Sequence, residues 1–293
     1  MTLGTFDGVH LGHKSILNKL IEAGKNRGEE SLVLTFFPHP RMILEQNSDI
    51  KLLNTIDEKA QLLNDLGIDN LIVQKFDNSF SQLLPEDFVQ QVLVDIFNVG
   101  KIIIGYDHRF GKNRSADIND LVAFGIKYGF EVEQISAEEI NNVCVSSTKI
   151  RSALQSGDLY LANKYLGYQY SIKGKVVKGR KLGRTIGFPT ANLIVSESYK
   201  LIPAIGVYAA FAIINDQKYY GMINIGTNPT IGENPVTIEM NIFDFDNNIY
   251  EQEIQVGFIE KIRDQQKFNS IDELKIALYN DKIETKKIIN KKL

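Results

Sequence analysis

The chain has 293 residues, a formal net charge of −3 and 43% hydrophobic residues, which excludes a wholly disordered protein and allows one or two folded domains. Proteins that bind nucleic acid through its phosphates are usually basic, so this charge argues against a nucleic-acid partner. The single cysteine excludes an intrachain disulfide and a cysteine zinc cage. Because no apolar run reaches about 18 residues and no signal peptide is visible, we expect a cytoplasmic chain without a membrane partner.

Residues 1–167 alternate strand-like and helix-like patterns, which predicts a parallel sheet covered by helices. Four short runs rich in Val, Ile, Leu and Phe are predicted strands: Ser31–Phe37, Asn70–Gln74, Lys101–Tyr106 and Phe130–Ile135. Two amphipathic stretches are predicted helices: His13–Arg27 and Pro85–Phe97. All four histidines of the chain also lie in this part.

Residues 168–293 consist mainly of strand-like runs separated by turns, which predicts a second domain built as a small antiparallel β-barrel. The predicted strands are Tyr170–Lys178, Gly206–Ile214, Lys218–Ile225, Val236–Phe243 and Tyr250–Ile262. Asn215-Asp216 is a predicted hairpin turn, and an amphipathic helix is expected over Ile271–Tyr279. We place the domain boundary near Gly167–Ser171, after the helical stretch Leu159–Leu166.

The segment Gly4–His13 has the composition of a phosphate-binding loop that leads into a helix. Its glycines allow the backbone to approach a ligand closely, and the helix presents unpaired N–H groups and a partial positive charge. His10 and His13 can donate hydrogen bonds to phosphate oxygens and gain charge beside them. Two other interpretations stay open at this point: a metal site completed by His39 or Asp7, and an ordinary glycine turn with surface histidines.

Three further segments follow predicted strands or begin a helix, and they carry groups suited to anions and rings. Phe37–Arg41 presents His39 and Arg41 on a loop stiffened by two prolines. Gly105–Arg114 mixes basic and aromatic residues, which suit a phosphate and a stacked ring. Ser146–Arg151 begins a helix with hydroxyl and basic side chains. The alternatives are a basic surface turn for the second segment and a simple helix cap for the third.

These strings carry a resemblance to a known family. His10-Leu11-Gly12-His13 resembles the HxGH signature of nucleotidyltransferases, and Ser146–Arg151 resembles their second signature. With Phe37–Arg41 and Gly105–Asp117, they stand in the order found in prokaryotic bifunctional riboflavin kinase/FMN adenylyltransferases, the FAD synthetases. The second half is similar to the same family in five stretches: Gly179–Leu193, Gly206–Tyr208, Asn224–Thr230, Ile238-Glu239 and Lys261–Leu278.

The resemblance implies that residues 1–167 are a Rossmann-like nucleotidyltransferase domain that joins FMN to ATP, giving FAD and pyrophosphate. The implied ATP-binding residues are the catalytic His10, His13 and Arg151, together with Gly4, Phe6, Asp7, Gly8, Gly12, Ser147 and Thr148. The implied flavin-contacting residues are Pro38, His39, Arg41, Asp107, Arg109 and Phe110. Such a transfer depends on positioning and charge neutralisation more than on a covalent nucleophile.

The resemblance also implies that residues 168–293 are a riboflavin kinase domain, a β-barrel with a C-terminal helix, which converts riboflavin to FMN with ATP. The implied phosphate-binding residues are Gly179, Arg180, Gly183, Gly187, Pro189, Thr190 and Asn192. Thr190 and Asn192 would also hold Mg²⁺, a cation that prefers such oxygen ligands. Glu239 would be the general base on the ribityl hydroxyl, although strand alternation fits a solvent-facing glutamate equally well.

Two departures from the family pattern keep alternatives open. Only Met1-Thr2-Leu3 precede Gly4, so the first strand is predicted to be short, and His108 and Ala116 replace residues common in the family. One alternative is therefore a riboflavin kinase whose adenylylation is impaired. The others are a flavin-binding regulator without turnover and a nucleotidyltransferase for another small phosphate ester.

Overall fold

The computed structural model describes residues 1–136, 145–179, 182–227 and 236–292. The chain divides into two compact units, Met1–Ser147 and Thr148–Leu293. The second unit includes the two helices that the sequence places before the predicted boundary. Asn163 in one of them donates a hydrogen bond to the Phe258 carbonyl at 3.1 Å. The boundary near residue 167 stays a prediction of where the two activities divide.

The first unit contains parallel strands, as the alternating pattern predicts. They are β1 Thr2–Leu3, β2 Leu32–Phe37, β3 Asn70–Lys75, β4 Lys101–Gly105 and β5 Glu131–Ile135. β1 pairs in parallel with β2, β2 with β3, and β4 with β5. Met1 joins the two groups, because its nitrogen donates to the Lys101 carbonyl at 2.7 Å and its carbonyl accepts from the Ile103 N–H at 2.9 Å. The resulting order is β3-β2-β1-β4-β5, which confirms the predicted fold class.

The helices of the first unit connect these strands. They are α1 Leu11–Arg27, α2 Pro40–Leu44, α3 Ile56–Leu66, α4 Asn78–Ser81, α5 Pro85–Phe88 and α6 Ile118–Tyr128. The predicted helix Pro85–Phe97 differs in detail, because α5 continues as a π-helical turn over Val89–Val94. There the Asp95 N–H bonds the Gln90 carbonyl, five residues back, while the apolar face stays buried. The periodicity therefore predicts the buried face of this segment but not its hydrogen-bond pattern.

The second unit contains the predicted barrel. Its strands are β6 Ser171–Val177, β7 Ala191–Ile194, β8 Gly206–Ile214, β9 Gln217–Thr227, β10 Val236–Ile242 and β11 Glu253–Arg263. They close in the order β10-β7-β6-β11-β8-β9, and every pair is antiparallel. Asn215 and Asp216 have φ values of 50° and 61°, the backbone of a tight hairpin turn. The short strand β7 was not predicted from the sequence, and it closes the barrel by pairing with β6 and β10.

Four helices complete the second unit: α7 Ser147–Ser156, α8 Leu159–Leu166, α9 Leu182–Thr185 and α10 Ile271–Lys292. α10 extends well beyond the predicted Ile271–Tyr279. Its second half continues because Ile288 and Ile289 pack against Phe211 and Ile259 of the barrel. Among the residues that the structure describes, no helix has the length and apolarity needed to cross a membrane.

An ion pair anchors α10 to the end of β11. The Arg263 guanidinium makes two hydrogen bonds to the Asp281 carboxylate, at 2.8 and 2.7 Å. The Asp281 side chain is 4% exposed and that of Arg263 is 20% exposed, so water screens the pair weakly. The paired fork geometry fixes the angle at which the helix crosses the strand end.

We expect Asp281→Ala to lower the free energy of unfolding by about 3 kcal/mol, because it leaves the Arg263 cation buried without its partner. Urea unfolding of the full chain measures this change. Glu284→Ala is the matched control, since it breaks only the exposed Glu284–Lys287 pair and should cost under about 0.5 kcal/mol. Equal stability of the two variants would contradict the anchoring role of Arg263 and Asp281.

Candidate active sites

The loop Gly4–His13 leaves the sheet at the point where the strand order reverses. β1 lies between β2 and β4, and the chain turns from the end of β1 into α1. In open parallel sheets, the crevice beyond the carboxyl ends of the strands at this point is where ligands bind. The structure therefore places the predicted phosphate loop in the position that the fold favours for a nucleotide.

Asp7 is part of the loop but is turned inward. Its side chain is buried, and Oδ1 accepts hydrogen bonds from the N–H groups of Leu53 at 2.9 Å and Asn54 at 3.3 Å. The Asp7 carbonyl accepts a hydrogen bond from the Ser147 hydroxyl at 2.9 Å. Asp7 thus fixes the loop to the backbone of Leu53 and Asn54 and to the Ser147 hydroxyl. Direct contact of Asp7 with a phosphate stays a prediction.

The two histidines form a stacked pair at the start of α1. Their ring centroids lie 3.6 Å apart at an angle of 16°, and the His13 N–H donates to His10 Nδ1 at 3.3 Å. His10 therefore accepts at Nδ1 and caps the helix. His13 Nδ1 is buried and has no hydrogen-bond partner among the described residues. Burial lowers the pKa of His13 well below its ordinary value, and the neighbouring His10 and Lys59 lower it further.

The sequence analysis missed Lys59, which lies beneath this loop. Lys59 is 4% exposed, and its Nζ donates to the Thr5 carbonyl at 2.7 Å and to Thr35 Oγ1 at 3.2 Å. It lies on α3, whose start is marked by a capping box between Thr55 and Glu58. That S/T-x-x-E spacing was the available signal for the helix, but nothing in the sequence indicated that its lysine points inward.

The loop after β2 has fewer features of a prearranged site. Pro38 and His39 are half-buried, whereas Arg41 is exposed and pairs with Glu45 at 3.6 Å. His39 Nδ1 accepts the Arg41 N–H at 3.2 Å and so caps α2. The flavin contacts implied for Pro38, His39 and Arg41 stay predictions.

The loop after β4 presents both exposed and buried members of the predicted flavin set. Asp107 and Arg109 are exposed, whereas Phe110 is 7% exposed and packs against Phe88 in the core. Phe110 and Ala116 pair across the loop and close it. A core position is the ordinary role of such a ring, so the flavin contact of Phe110 stays a prediction.

Two residues of the implied phosphate set lie in the second unit. Thr148 is exposed and Arg151 is half-buried, and both belong to α7. Their contact with phosphates also stays a prediction.

In the barrel, Glu239 lies at the centre of a polar cluster. It stands on β10 directly opposite Asn192 on β7 and Asn224 on β9. The Thr190 hydroxyl donates to Glu239 Oε2 at 3.2 Å. Its neighbours Ile238 and Met240 are buried, so Glu239 faces away from the barrel core. The structure thus brings Glu239, the implied general base, together with Thr190 and Asn192, the two residues implied to hold Mg²⁺.

The glycine-rich loop before β7 is fixed by close backbone contacts. The Phe188 N–H bonds the Gly183 carbonyl at 2.8 Å, and a Cβ at Gly183 would overlap the Phe188 carbonyl oxygen. Gly187 has a φ of 85°, which favours glycine. The buried Asn241 donates from Nδ2 to the Pro189 carbonyl at 2.6 Å. Asn241 was missed by the sequence analysis, although it shares the strand face of Glu239.

Gly179 completes the other side of this site. A Cβ there would overlap the Asn192 side-chain amide, so the absence of a side chain lets that amide lie against the backbone. Arg180, the next residue of the implied phosphate set, lies outside the described residues.

A cleft of about 490 Å³ opens beside the barrel, between the end of β11 and α10. Its lining residues are Gln266, Lys267, Phe268, Glu273, Ile276, Ala277 and Asn280. The side chain of Gln265 lies beside the β9–β10 pair. A Cβ built at Gly226 of β9 would be 3.1 Å from Gln265 Nε2 and 3.2 Å from Asn224 Nδ2, so both amide groups lie close to this glycine. Asn224 is the cross-strand partner of Glu239.

Comparison with known proteins identifies both units. The model of the FAD synthetase family matches residues 1–149, and that of the riboflavin kinase family matches residues 166–289. The chain belongs to the family of bifunctional riboflavin kinase/FMN adenylyltransferases. It has both activities of that family, producing FMN and FAD with riboflavin, FMN and ATP as substrates.

Individual relatives cover nearly the whole chain. The bifunctional riboflavin kinase/FMN adenylyltransferase of Listeria monocytogenes is 38% identical over 98% of this chain and 91% of its own length. That of Bacillus subtilis is 38% identical over 97% and 90%. A crystal structure from Streptococcus pneumoniae, described as a macrolide-efflux protein, is 32% identical with a TM-score of 0.87, covering 96% of this chain and 91% of its own. The similarity therefore extends through both units.

We expect Asn241→Leu to reduce FMN formation from riboflavin by roughly 10- to 100-fold, because the Pro189 carbonyl loses its donor and the loop shifts. FAD formation from supplied FMN should stay unchanged, and an unaltered urea unfolding transition of the barrel would show that the second unit is folded. Asn247→Leu, the same change in an exposed turn, is the matched control. Unaltered FMN formation in Asn241→Leu would show that the loop does not depend on this hydrogen bond.

Proposed function

We propose that the second unit transfers the γ-phosphoryl group of ATP to the 5′-hydroxyl of riboflavin with Glu239 as general base. The hydroxyl oxygen attacks the γ-phosphorus, its proton passes to the Glu239 carboxylate, and ADP leaves with the electrons of the broken bond. The observation that carries this assignment is the position of Glu239, hydrogen-bonded to Thr190 at the end of the glycine-rich loop. A carboxylate beside a loop of this kind can reach both the alcohol and the phosphate.

The cleft between β11 and α10 suits the flavin ring of riboflavin. The cleft is shallow and open to solvent, and Phe268 and Ile276 supply apolar surface beside polar groups, on which one face of a ring could lie. Gln265, next to the lining residue Gln266, lies near Gly226 on β9, so a flavin held in the cleft would extend its ribityl chain across the β9–β10 pair toward Glu239. Riboflavin, the acceptor of the phosphoryl group, would thus bind at a surface that no sequence motif indicated.

Mg²⁺ fits the donors of this cluster. The Thr190 hydroxyl, the Asn192 amide oxygen and the Glu239 carboxylate are hard oxygen ligands of the type that Mg²⁺ prefers. Thr190 and Asn192 would hold the ion, and the ion would neutralise charge on the ATP phosphates.

We assign FMN adenylylation to the first unit, where an FMN phosphate oxygen attacks the α-phosphorus of ATP and pyrophosphate leaves. The support is the stacked pair of His10 and His13 at the start of α1, on a loop placed at the ligand crevice of the sheet. The lowered pKa of His13 keeps its ring neutral before substrate binds. The negative phosphates then favour protonation and hydrogen bonding. The cytoplasmic location expected from the sequence stays a prediction.

The two assignments predict separable losses. Glu239→Gln should reduce FMN formation from riboflavin by at least about 100-fold while leaving FMN-to-FAD conversion intact, because it removes the proton acceptor alone. His13→Ala should do the reverse. Chromatography of FMN and FAD after incubation with ATP and Mg²⁺ measures both. Loss of both reactions in either variant, with unfolding excluded by circular dichroism, would contradict the division of labour.

Removal of divalent cations should stop FMN formation, and added Mg²⁺ should restore it. Thr190→Val should raise the Mg²⁺ concentration for half-maximal FMN formation by about tenfold, because one oxygen ligand is lost. Thr237→Val removes another hydroxyl from the same barrel and serves as the control. An unchanged Mg²⁺ dependence in Thr190→Val would exclude this hydroxyl as a ligand.

A further inference from the structure

Lys59 is a buried cation whose hydrogen bonds, among the described residues, go to neutral oxygens. The side chain is 4% exposed, and Nζ donates to the Thr5 carbonyl and the Thr35 hydroxyl at 2.7 and 3.2 Å. A buried charge without a hydrogen-bonded counter-ion costs free energy, which an apolar side chain of similar length would avoid. This cost points to a role for the ammonium group other than stability.

The first consequence concerns the direction of one backbone N–H group. The Thr5 carbonyl accepts from both Lys59 and the Thr35 hydroxyl, the latter at 3.1 Å, so two donors fix this peptide unit. In a planar trans peptide, the carbonyl and the following N–H point in opposite directions. The Phe6 N–H is therefore directed away from Lys59, and no acceptor for it is found in the described parts of the chain. A backbone N–H group without a protein acceptor can donate to a phosphate oxygen that reaches it.

The second consequence is electrostatic. Among the described residues, the titratable groups that interact with Lys59 are the Asp7 carboxylate and the neutral ring of His13, which stacks on His10. Burial lowers the pKa of Lys59 to about 8, while Asp7 opposes that shift. The amine is thus mainly protonated at pH 7 and loses its charge as the pH rises through about 8. In this low-dielectric position the charge acts strongly on an anion in the loop.

We infer that Lys59 is a positioning residue for adenylyl transfer: it directs the Phe6 N–H toward the ATP phosphates and supplies a positive charge beneath the loop. The inference rests on the proposed function of the loop Gly4–His13 and extends it to a residue that does not itself touch the substrate.

The test compares two variants of the full chain. Lys59→Met removes both the donor and the charge and should lower kcat/KM for ATP in FAD formation by roughly 10- to 100-fold, the cost of a misplaced group. Lys59→Arg keeps the charge and should retain more activity than Lys59→Met. Lys75→Met makes the same chemical change at a largely exposed lysine of the same unit and should match the parent. FMN formation from riboflavin should be equal in all four proteins.

A pH profile separates this role from a merely structural one. In the parent, kcat/KM for ATP should fall above about pH 8, as Lys59 loses its proton. Lys59→Arg should move this fall beyond pH 10, because a guanidinium stays charged there. Lys59→Met should give a lower profile without a fall near pH 8. If one of the two Lys59 variants fails to fold, comparison of the pH profile of the other variant with that of the parent still tests the role of Lys59.

Parental activity in folded Lys59→Met, or an alkaline fall unchanged in Lys59→Arg, would overturn the inference. His13→Ala, assayed in parallel, distinguishes failure of the proposed loop function from failure of the Lys59 role. If His13→Ala retains FAD formation, the proposed role of the loop fails. If His13→Ala loses FAD formation while Lys59→Met retains it, only the role of Lys59 fails.

Discussion

The hydrogen bond from the Lys59 ammonium to the Thr5 carbonyl meets a requirement that applies to the loops of both units. A loop that binds phosphates through its N–H groups must turn the matching carbonyls away from the ligand, and a carbonyl turned inward needs a donor there. Lys59 supplies it in the first unit, and Asn241 supplies it to the Pro189 carbonyl in the barrel. Each donor is buried, so water does not compete for the carbonyl.

The two folds position these loops by different means. In the first unit, the place of β1 between β2 and β4 leaves a crevice beyond its carboxyl end, and α1 begins there. In the barrel, the antiparallel register of β10 sets Glu239 opposite Asn192 and Asn224, while the loop before β7 brings Thr190 to the same carboxylate. Sheet topology thus determines the first site, and cross-strand register determines the second.

The sequence predicted those parts of the fold that depend on local periodicity. Strands such as Leu32–Phe37 and Gly206–Ile214 were found within a residue, because uniform apolar runs leave little choice of structure. The four-residue strand Ala191–Ile194 was missed, since its pairing on both sides, not its composition, makes it a strand. Motifs indicated Glu239 and Thr190, but their hydrogen bond depends on a contact between residues 49 positions apart. The roles of Lys59 and Asn241 depend on burial of their side chains. No local sequence pattern specifies whether a lysine or an asparagine is buried, so neither residue was predicted.

The acidic balance of the chain is compatible with two sites for polyphosphate because neither depends on a basic surface. In the proposed adenylylation site, backbone N–H groups, the partial positive charge of α1 and the buried Lys59 ammonium would bind the phosphates, and His13 would stay neutral until an anion is near. In the barrel, the nucleotide would bring Mg²⁺ to oxygen ligands. Groups of this kind are strong at short range inside a crevice and weak in bulk water, so they select a small nucleotide over an extended polyanion. A net charge of −3 disfavours binding to nucleic acid and is compatible with both proposed sites.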